Sequence, residues 1–202
     1  GSSDETIRVW SLPSGRQTLI LRGHSSAVSS VAISSRDQYI VSGSADSTVR
    51  VWSLNTGEVV KVLRGHSDYV NSVGISKTDH YIVSGSDDRT VRVWSFISGD
   101  LIRVFKGHSR VVNSIAISSD DQFVVSGSED RTIRVWSLTS GETTKVLERH
   151  VGRVFSVSLS SDDKYLVSGG VDDSLYFIKN YSVKFWNLST GQQTQELKGH
   201  TS

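Results

Sequence analysis

The chain has 202 residues, 22 of them lysine or arginine and 21 aspartate or glutamate, with six histidines and neither cysteine nor methionine. A net charge of +1 offers no global field to nucleic acid or a membrane surface, and a chain without cysteine holds no disulfide framework, thiolate metal site or cysteine nucleophile. No apolar run approaches the ~20 residues of a bilayer span, and the first residues lack the basic-then-apolar order of a targeting segment. The expected compartment is the cytoplasm, with the nucleus left open.

The opening phrase Gly1-Ser2-Ser3-Asp4-Glu5-Thr6 leads into a β-branched run ending at Trp10, and a second apolar run closes before His24. These read as strands c and d of an incomplete unit over residues 1–24. The next unit, 25–66, is complete. Val28 to Ser34 reads as strand a, Tyr39 to Ser44 as b, Thr48 to Leu54 as c and Val59 to Leu63 as d. Each is short, rich in valine and isoleucine, and bounded by Gly, Asp, Asn or Ser. The same order follows over 67–108 and 109–150. The last unit, 151–202, is longer, because Trp136 to Trp186 is 50 residues and the extra eight fall at 173–180. It ends on Gly199-His200-Thr201-Ser202, the phrase that opens each unit. No window of about 11 residues sets its apolar residues at helical spacing, so the fold is expected to be all β.

Trp10, Trp52, Trp94 and Trp136 stand 42 residues apart, as do His24, His66, His108 and His150, and Asp46, Asp88 and Asp130. A chain that repeats so strictly is built from stacked copies of one unit. The period, the Gly-His pair and the closing Trp resemble the WD40 repeat family, whose units are four-stranded antiparallel blades of a β-propeller. The resemblance covers essentially the whole chain and implies about four and a half blades of an incomplete ring. Ser11, Ser53, Ser95 and Ser137, or Asn187, follow Trp where the family usually has Asp, a place beyond the strand that leaves the fold unchanged. Propellers remove their sheet edges by closing, and open edges template aggregation. The expectation is therefore a stretch of a longer polypeptide, or two copies pairing their open ends.

Ser, His and Asp in each unit invite a catalytic reading, but an active site needs one constellation in one cleft, whereas this group recurs unit after unit. In WD40 proteins these residues form a buried hydrogen-bonded tetrad. The resemblance places it at His24, Ser42, Asp46 and Trp52; at His66, Ser84, Asp88 and Trp94; and at His108, Ser126, Asp130 and Trp136. A fourth set would be His150, Ser168, Asp172 and Trp186. No enzyme, cofactor or metal site is expected: five histidines belong to the repeat phrase, and His80 falls in an a-to-b turn with no metal-binding motif near it. Arg8, Arg50, Arg92, Arg134 and Lys184 stand two before each Trp, on the same strand face. Without a basic excess they read as solvated or ion-paired rather than as a nucleic-acid footprint.

Function is sought where the repeats differ. In the family, partners dock on the end formed by the d-to-a and b-to-c loops, through the third and fifth residues after the histidine and the residue before the tetrad Asp. Those positions hold Ala27, Ser29 and Ala45; Tyr69, Asn71 and Asp87; Val111, Asn113 and Glu129; and Arg153, Phe155 and Val171. Aromatic and arginine anchors with a polar surround suit protein and peptide interfaces, so Tyr69, Asn71, Asp87, Glu129, Arg153 and Phe155 are candidate contacts. The inserted run adds Tyr176 and Phe177, an apolar hairpin that either touches a partner or packs on its own blade. The resulting expectation is a non-catalytic scaffold that binds other proteins or peptides. Its alternatives are a recognition module of a larger protein or a subunit of a large assembly.

Overall fold

The structure is a computed structural model and describes residues 1–148, 150–171 and 180–201. Among these residues there is no helix, and none is long and apolar enough to cross a membrane. β1 (Ile7–Trp10) and β2 (Gln17–Leu21) form a two-stranded half sheet. Four sheets of four antiparallel strands follow. The first holds β3 (Val28–Ile33), β4 (Tyr39–Ser44), β5 (Thr48–Ser53) and β6 (Val59–Arg64). The second holds β7 (Val70–Ile75), β8 (Tyr81–Ser86), β9 (Thr90–Ser95) and β10 (Leu101–Lys106). The third holds β11 (Val112–Ile117), β12 (Phe123–Ser128), β13 (Ile133–Ser137) and β14 (Thr143–Leu147). The fourth holds β15 (Val154–Leu159), β16 (Tyr165–Val171), β17 (Asn180–Asn187) and β18 (Gln192–Thr201).

Strands pair in sequence order within each sheet, and the first strands β3, β7, β11 and β15 lie against one another from sheet to sheet. Only meandering sheets stacked around a common axis place the first strand of each innermost, so the arrangement is an incomplete propeller with an open ring. The expected strands recur with ends shifted by one residue. Strand a stops at Ile33, because the Ser34 hydroxyl instead takes the turn amides of Gln38 and Tyr39 at 3.2 and 3.0 Å.

Alternating apolar residues pack each sheet against the next. Val41, Val49, Val51 and Leu63 of the first meet Val70, Val73, Ile82 and Trp94 of the second, and the later junctions repeat the set. Polar bonds span the same junctions. Ser29 Oγ, Asn71 Nδ2 and Asn113 Nδ2 donate to the carbonyls of Val70, Val112 and Val154 at 2.5, 3.0 and 2.8 Å. At the other end, the a-to-b turn aspartates Asp79 and Asp163 accept from Ser35 Oγ and Ser119 Oγ of the preceding sheet, both at 2.6 Å. Asp121 accepts from Lys77 N at 3.1 Å and from the Thr78 hydroxyl. Asp37, Asp79, Asp121 and Asp163 all have φ between 54° and 57°, a left-handed position that aspartate tolerates better than most residues.

In the fourth sheet the β16–β17 ladder runs beyond the place where the others turn. Gly169 faces Val183 as Gly43 faces Val49, and Gly170↔Ser182 and Val171↔Tyr181 follow. These two pairs lengthen the hairpin on either side of the insertion. Residues 172–179, including Asp172, Tyr176 and Phe177, lie outside the described residues.

Candidate functional site

The repeated polar set is assembled from four elements: the d-to-a loop brings His, the second strand Ser, the b-to-c turn Asp and the third strand Trp. Trp52 Nε1 donates to Ser42 Oγ at 2.8 Å, Ser42 Oγ lies 2.7 Å from His24 Nε2, and His24 Nδ1 lies 2.7 Å from Asp46 Oδ2. A neutral imidazole protonated on Nδ1 satisfies every link: indole to hydroxyl, hydroxyl to Nε2, Nδ1 to carboxylate. The second and third sheets reproduce the set, with His66 and His108 at 2.7 and 2.8 Å from Asp88 and Asp130. In the fourth sheet His150 Nε2 and Trp186 Nε1 meet Ser168 Oγ at 2.7 and 2.8 Å.

A fifth member escaped the sequence reading. Thr48, Thr90 and Thr132 donate through Oγ1 to the Asp at 2.6–2.7 Å and again through the backbone amide. An Asp-x-Thr recurring every 42 residues is the signal that marks it. Burial by itself would raise the Asp46 carboxyl, but hydrogen bonds from Thr48, His24 and the amide of Ser25 outweigh it and lower the pKa to about 2. Asp88 and Asp130, where burial is likewise opposed by His and Thr donors, fall well below the ordinary carboxylate range. Burial pushes His24 down, against the pull of Asp46, in keeping with a neutral ring. Ser42, Ser84 and Ser126 are fully buried. A nucleophile must reach substrate, and these hydroxyls are enclosed, so the geometry is that of a clamp.

The basic residue two before each Trp serves the same set. Arg50 and Arg92 are largely buried and sit 3.9 and 3.8 Å from Asp46 and Asp88, while the Arg134 guanidinium lies 5.7 Å from the Trp136 ring centroid. The glycine of Gly-His leaves room for this stacking: a Cβ on Gly65 would come within 2.7 Å of Arg92 and 3.1 Å of Trp94.

At the loop end the variable residues fall into two groups. Tyr69 is 53% exposed and its carbonyl accepts from Asp87 N at 2.9 Å, so these two stand side by side. Asn71 Nδ2 bridges Asp87 Oδ1 at 2.6 Å and the Val112 carbonyl, which gives it work between sheets as well as a place beside Tyr69. Across the junction of the third and fourth sheets, Arg153 Nη1 meets Glu129 Oε1 at 2.6 Å, and Phe155 is 46% exposed. A cavity of about 410 Å³ opens here, lined by Arg131, Val151, Arg153, Phe155, Val171 and Tyr181. Arg131, Val151 and Tyr181 were not anticipated. Arg131 belongs to a further variable position, directly after the tetrad Asp, where Ser47 and Arg89 also adopt φ of 64° and 68°.

A larger cleft of about 660 Å³ lies at the opposite end between the same two sheets, lined by Phe123, Val135, Lys145, Tyr165 and Leu188 among others. Lys145 Nζ is tied across it to the carbonyls of Leu188 and Ser189, so it is a latched seam between sheets. Among the described residues no group of three or more His, Cys, Asp or Glu could hold a metal ion.

Four stretches of the chain, 15–53, 57–95, 99–137 and 141–179, match the family model described as WD domain, G-beta repeat. The first three begin just before a strand d and end on the last residue of strand c of the next sheet, so one sequence repeat supplies the outer strand of one sheet and the inner three of the following one; the fourth match stops before β17. Two curated relatives align over 42 residues: the pre-mRNA-splicing factor PRP46 of Eremothecium gossypii at 45% identity and that of Candida glabrata at 43%. The aligned stretch is 21% of this chain and spans about a tenth of each relative, 10%.

Proposed function

The chain belongs to the WD40 repeat family, and from that premise we propose that it is a non-catalytic scaffold that docks a protein or peptide on the end formed by its d-to-a and b-to-c loops. One observation carries the reading: residues that the repeat fixes are buried in the clamps, while Tyr69, Arg153 and Phe155, at positions that differ between repeats, are exposed at one end beside the half-buried Asp87 and Glu129. Tyr69, Asp87, Glu129, Arg153 and Phe155 would supply the contacts, with the cavity beside Phe155 as the anchor pocket. Asn71 would contribute only the amide face left over from its bridge between sheets. Tyr176 and Phe177 would extend the same surface from the inserted hairpin.

A subunit of a multiprotein assembly is the second reading, favoured by the splicing-factor relatives. Under it the chain would work in the nucleus, and the cytoplasmic expectation draws no support from those relatives. A photo-crosslinking amino acid at Tyr69 or at Phe155, compared with one at Tyr165, tests the docking end. Tyr165 is equally exposed, at 46%, at the opposite end. Adducts to one defined protein from the first two sites and none from Tyr165 are expected; the reverse pattern would move the docking surface to the turn end.

A further inference from the structure

The three junctions between full sheets are closed differently at the turn end. Lys61, Arg103 and Lys145 stand at one shared place, opposite Val51, Val93 and Val135 on the neighbouring strand. Phe96, Leu138 and Leu188 stand at another, each on the sheet that follows, with its amide bonded to a carbonyl of the a-to-b turn. Between the first and second sheets the Phe96 ring fills the gap, packed edge-on against Tyr39 at 5.5 Å. Between the second and third the Arg103 guanidinium fills it, lying over Gly141 and donating to the carbonyls of Thr139 and Ser140 at 3.4 and 3.3 Å.

The junction of the third and fourth sheets has neither filler, because Leu188 is smaller than Phe96 and Lys145 is slimmer than Arg103. Its seam is looser as a result. A Cβ on Gly191 would lie 3.5 Å from Leu147 and 4.0 Å from Lys145, against 3.1 and 3.2 Å from the corresponding Leu63 and Lys61 at Gly99. Val135 is 6% exposed, where Val51 and Val93 are 1%. The cleft of about 660 Å³ is the space these two exchanges leave, and Phe123, Val135 and Leu188 make its wall apolar, as small-molecule sites of that size are. Three charged groups border it. Asp163 is taken by the amide and hydroxyl of Ser119 at 2.7 and 2.6 Å, and Lys164 pairs with Asp162 at 3.4 Å. Lys145 Nζ donates to the carbonyls of Leu188 and Ser189 and meets no carboxylate among the described residues. An ammonium has three donors, so one is left over beside an apolar wall.

We propose that this cleft is a binding site, separate from the loop end, for a free small molecule of one class, an aromatic carboxylate. The ring of the ligand rests on Phe123, Val135 and Leu188, and its carboxylate accepts the third N–H of Lys145. Two features fix the class. The same space holds a phenyl ring in the first junction, where Phe96 meets Tyr39, so an aryl group has the shape. The ammonium has carbonyl partners and no counter-charge, so an anion complements it, and a charge beside apolar surface is costly until it is paired.

The test is a fluorescence titration of the full chain with anilinonaphthalene sulfonate, an aryl anion that brightens in apolar surroundings, followed by displacement with naphthoate. Naphthamide, the uncharged counterpart, should displace the probe about tenfold less well than naphthoate, the worth of one hydrogen bond to a charged group. Leu188→Phe and Lys145→Arg bring in the fillers of the other junctions, so each should keep the melting temperature and weaken the probe by about tenfold or more. Lys145→Met should weaken naphthoate by about tenfold and leave naphthamide unchanged. Phe155→Ala, at the loop end, should alter neither. If Leu188→Phe fails to fold, Lys145→Arg decides alone. Probe binding that survives the filled variants overturns the proposal. So does its loss in Phe155→Ala, which would put the probe in the loop-end cavity, and so does equal displacement by naphthoate and naphthamide, which would leave Lys145 no part in recognition.

Discussion

Trp52 and Trp10 end the same phrase at the same place in strand c, yet Trp52 is 1% exposed and Trp10 54%. The half sheet nevertheless builds part of the clamp. Thr6 Oγ1 donates to Asp4 at 2.6 Å and Arg8 pairs with Asp4 at 3.1 Å, as Thr48 and Arg50 do with Asp46. What Trp10 lacks among the described residues is the serine of a second strand, which in the first sheet stands 10 residues before Trp52, and the histidine of a loop, which lies farther away in the sequence. The Asp-x-Thr-x-Arg part is local and forms with the turn itself. Burial of the indole is non-local and comes only with a complete sheet.

The sharpest way to break that comparison is to remove the two kinds of indole. Trp94→Ala deletes a buried ring and leaves the Ser84 hydroxyl without its donor, which should cost about 3–5 kcal/mol. Trp10→Ala should stay within about 0.5 kcal/mol, as exposed substitutions do. Urea midpoints of the two variants decide it; equal losses would mean that the half sheet is clamped as tightly as the rest.

The carboxylates come next in size. Asp88→Ala strands His66, Thr90 and the Ser67 amide and should lower stability by ~1–3 kcal/mol, whereas Asp4→Ala, which loses the bonds from Thr6 but no histidine, should cost less. The pH dependence has a fixed sign. Asp46 has a folded pKa of about 2, below its ordinary value near ~3.9, so the unfolded chain protonates first as pH falls. The stability this carboxylate contributes is complete above about pH 4 and is lost as pH drops through the folded value. Asp88 and Asp130 act in the same direction at lower pH. His24, also lowered, adds a shallower loss that begins below its ordinary pKa of about 6.5, because the unfolded imidazole takes a proton that the buried one resists. Melting temperature measured from pH 7 to pH 2 should therefore fall in two stages, and Asp46→Asn should make the lower one shallower while Asp88 and Asp130 keep their share.

The same division explains what the sequence revealed. Strands and relay members were legible because alternation and a 42-residue register are carried by the chain itself. Asp79, Asp121 and Asp163 share that register, but their bonds reach serine, lysine and threonine positions 43 or 44 residues earlier, in another sheet. No local pattern shows that span. Asn71 looked like a free contact because its sequence neighbourhood says nothing of the Val112 carbonyl 41 residues away. Tyr181 reached the cavity beside Phe155 only through the lengthened ladder, a consequence of where the insertion lies rather than of any motif.

The smallest expected effect concerns the serines that follow Trp where the family usually carries Asp. Ser53, Ser95 and Ser137 accept through Oγ from the amide three residues on, at 3.3, 3.1 and 3.0 Å, and Asn187 does the same through Oδ1 at 3.2 Å. An oxygen one bond beyond Cβ, or on a short planar group, is what this turn needs, and a hydroxyl, amide or carboxylate each supplies it. Ser95→Asp should thus fall within about 0.5 kcal/mol of the parent, while Ser95→Ala loses one partly exposed hydrogen bond worth about 0.5–1.5 kcal/mol. In the half sheet the corresponding turn keeps its backbone bonds, from Ser11 N to the Arg16 carbonyl at 2.8 Å and from Gly15 N to the Ser11 carbonyl at 2.7 Å, but Ser11 Oγ makes no such bond among the described residues, so Ser11→Ala should be silent. Thermal melts of the three variants separate the cases. A large loss for Ser95→Asp would show that the turn selects the hydroxyl itself, and that the departure from the family is a constraint rather than a substitution of equivalent acceptors.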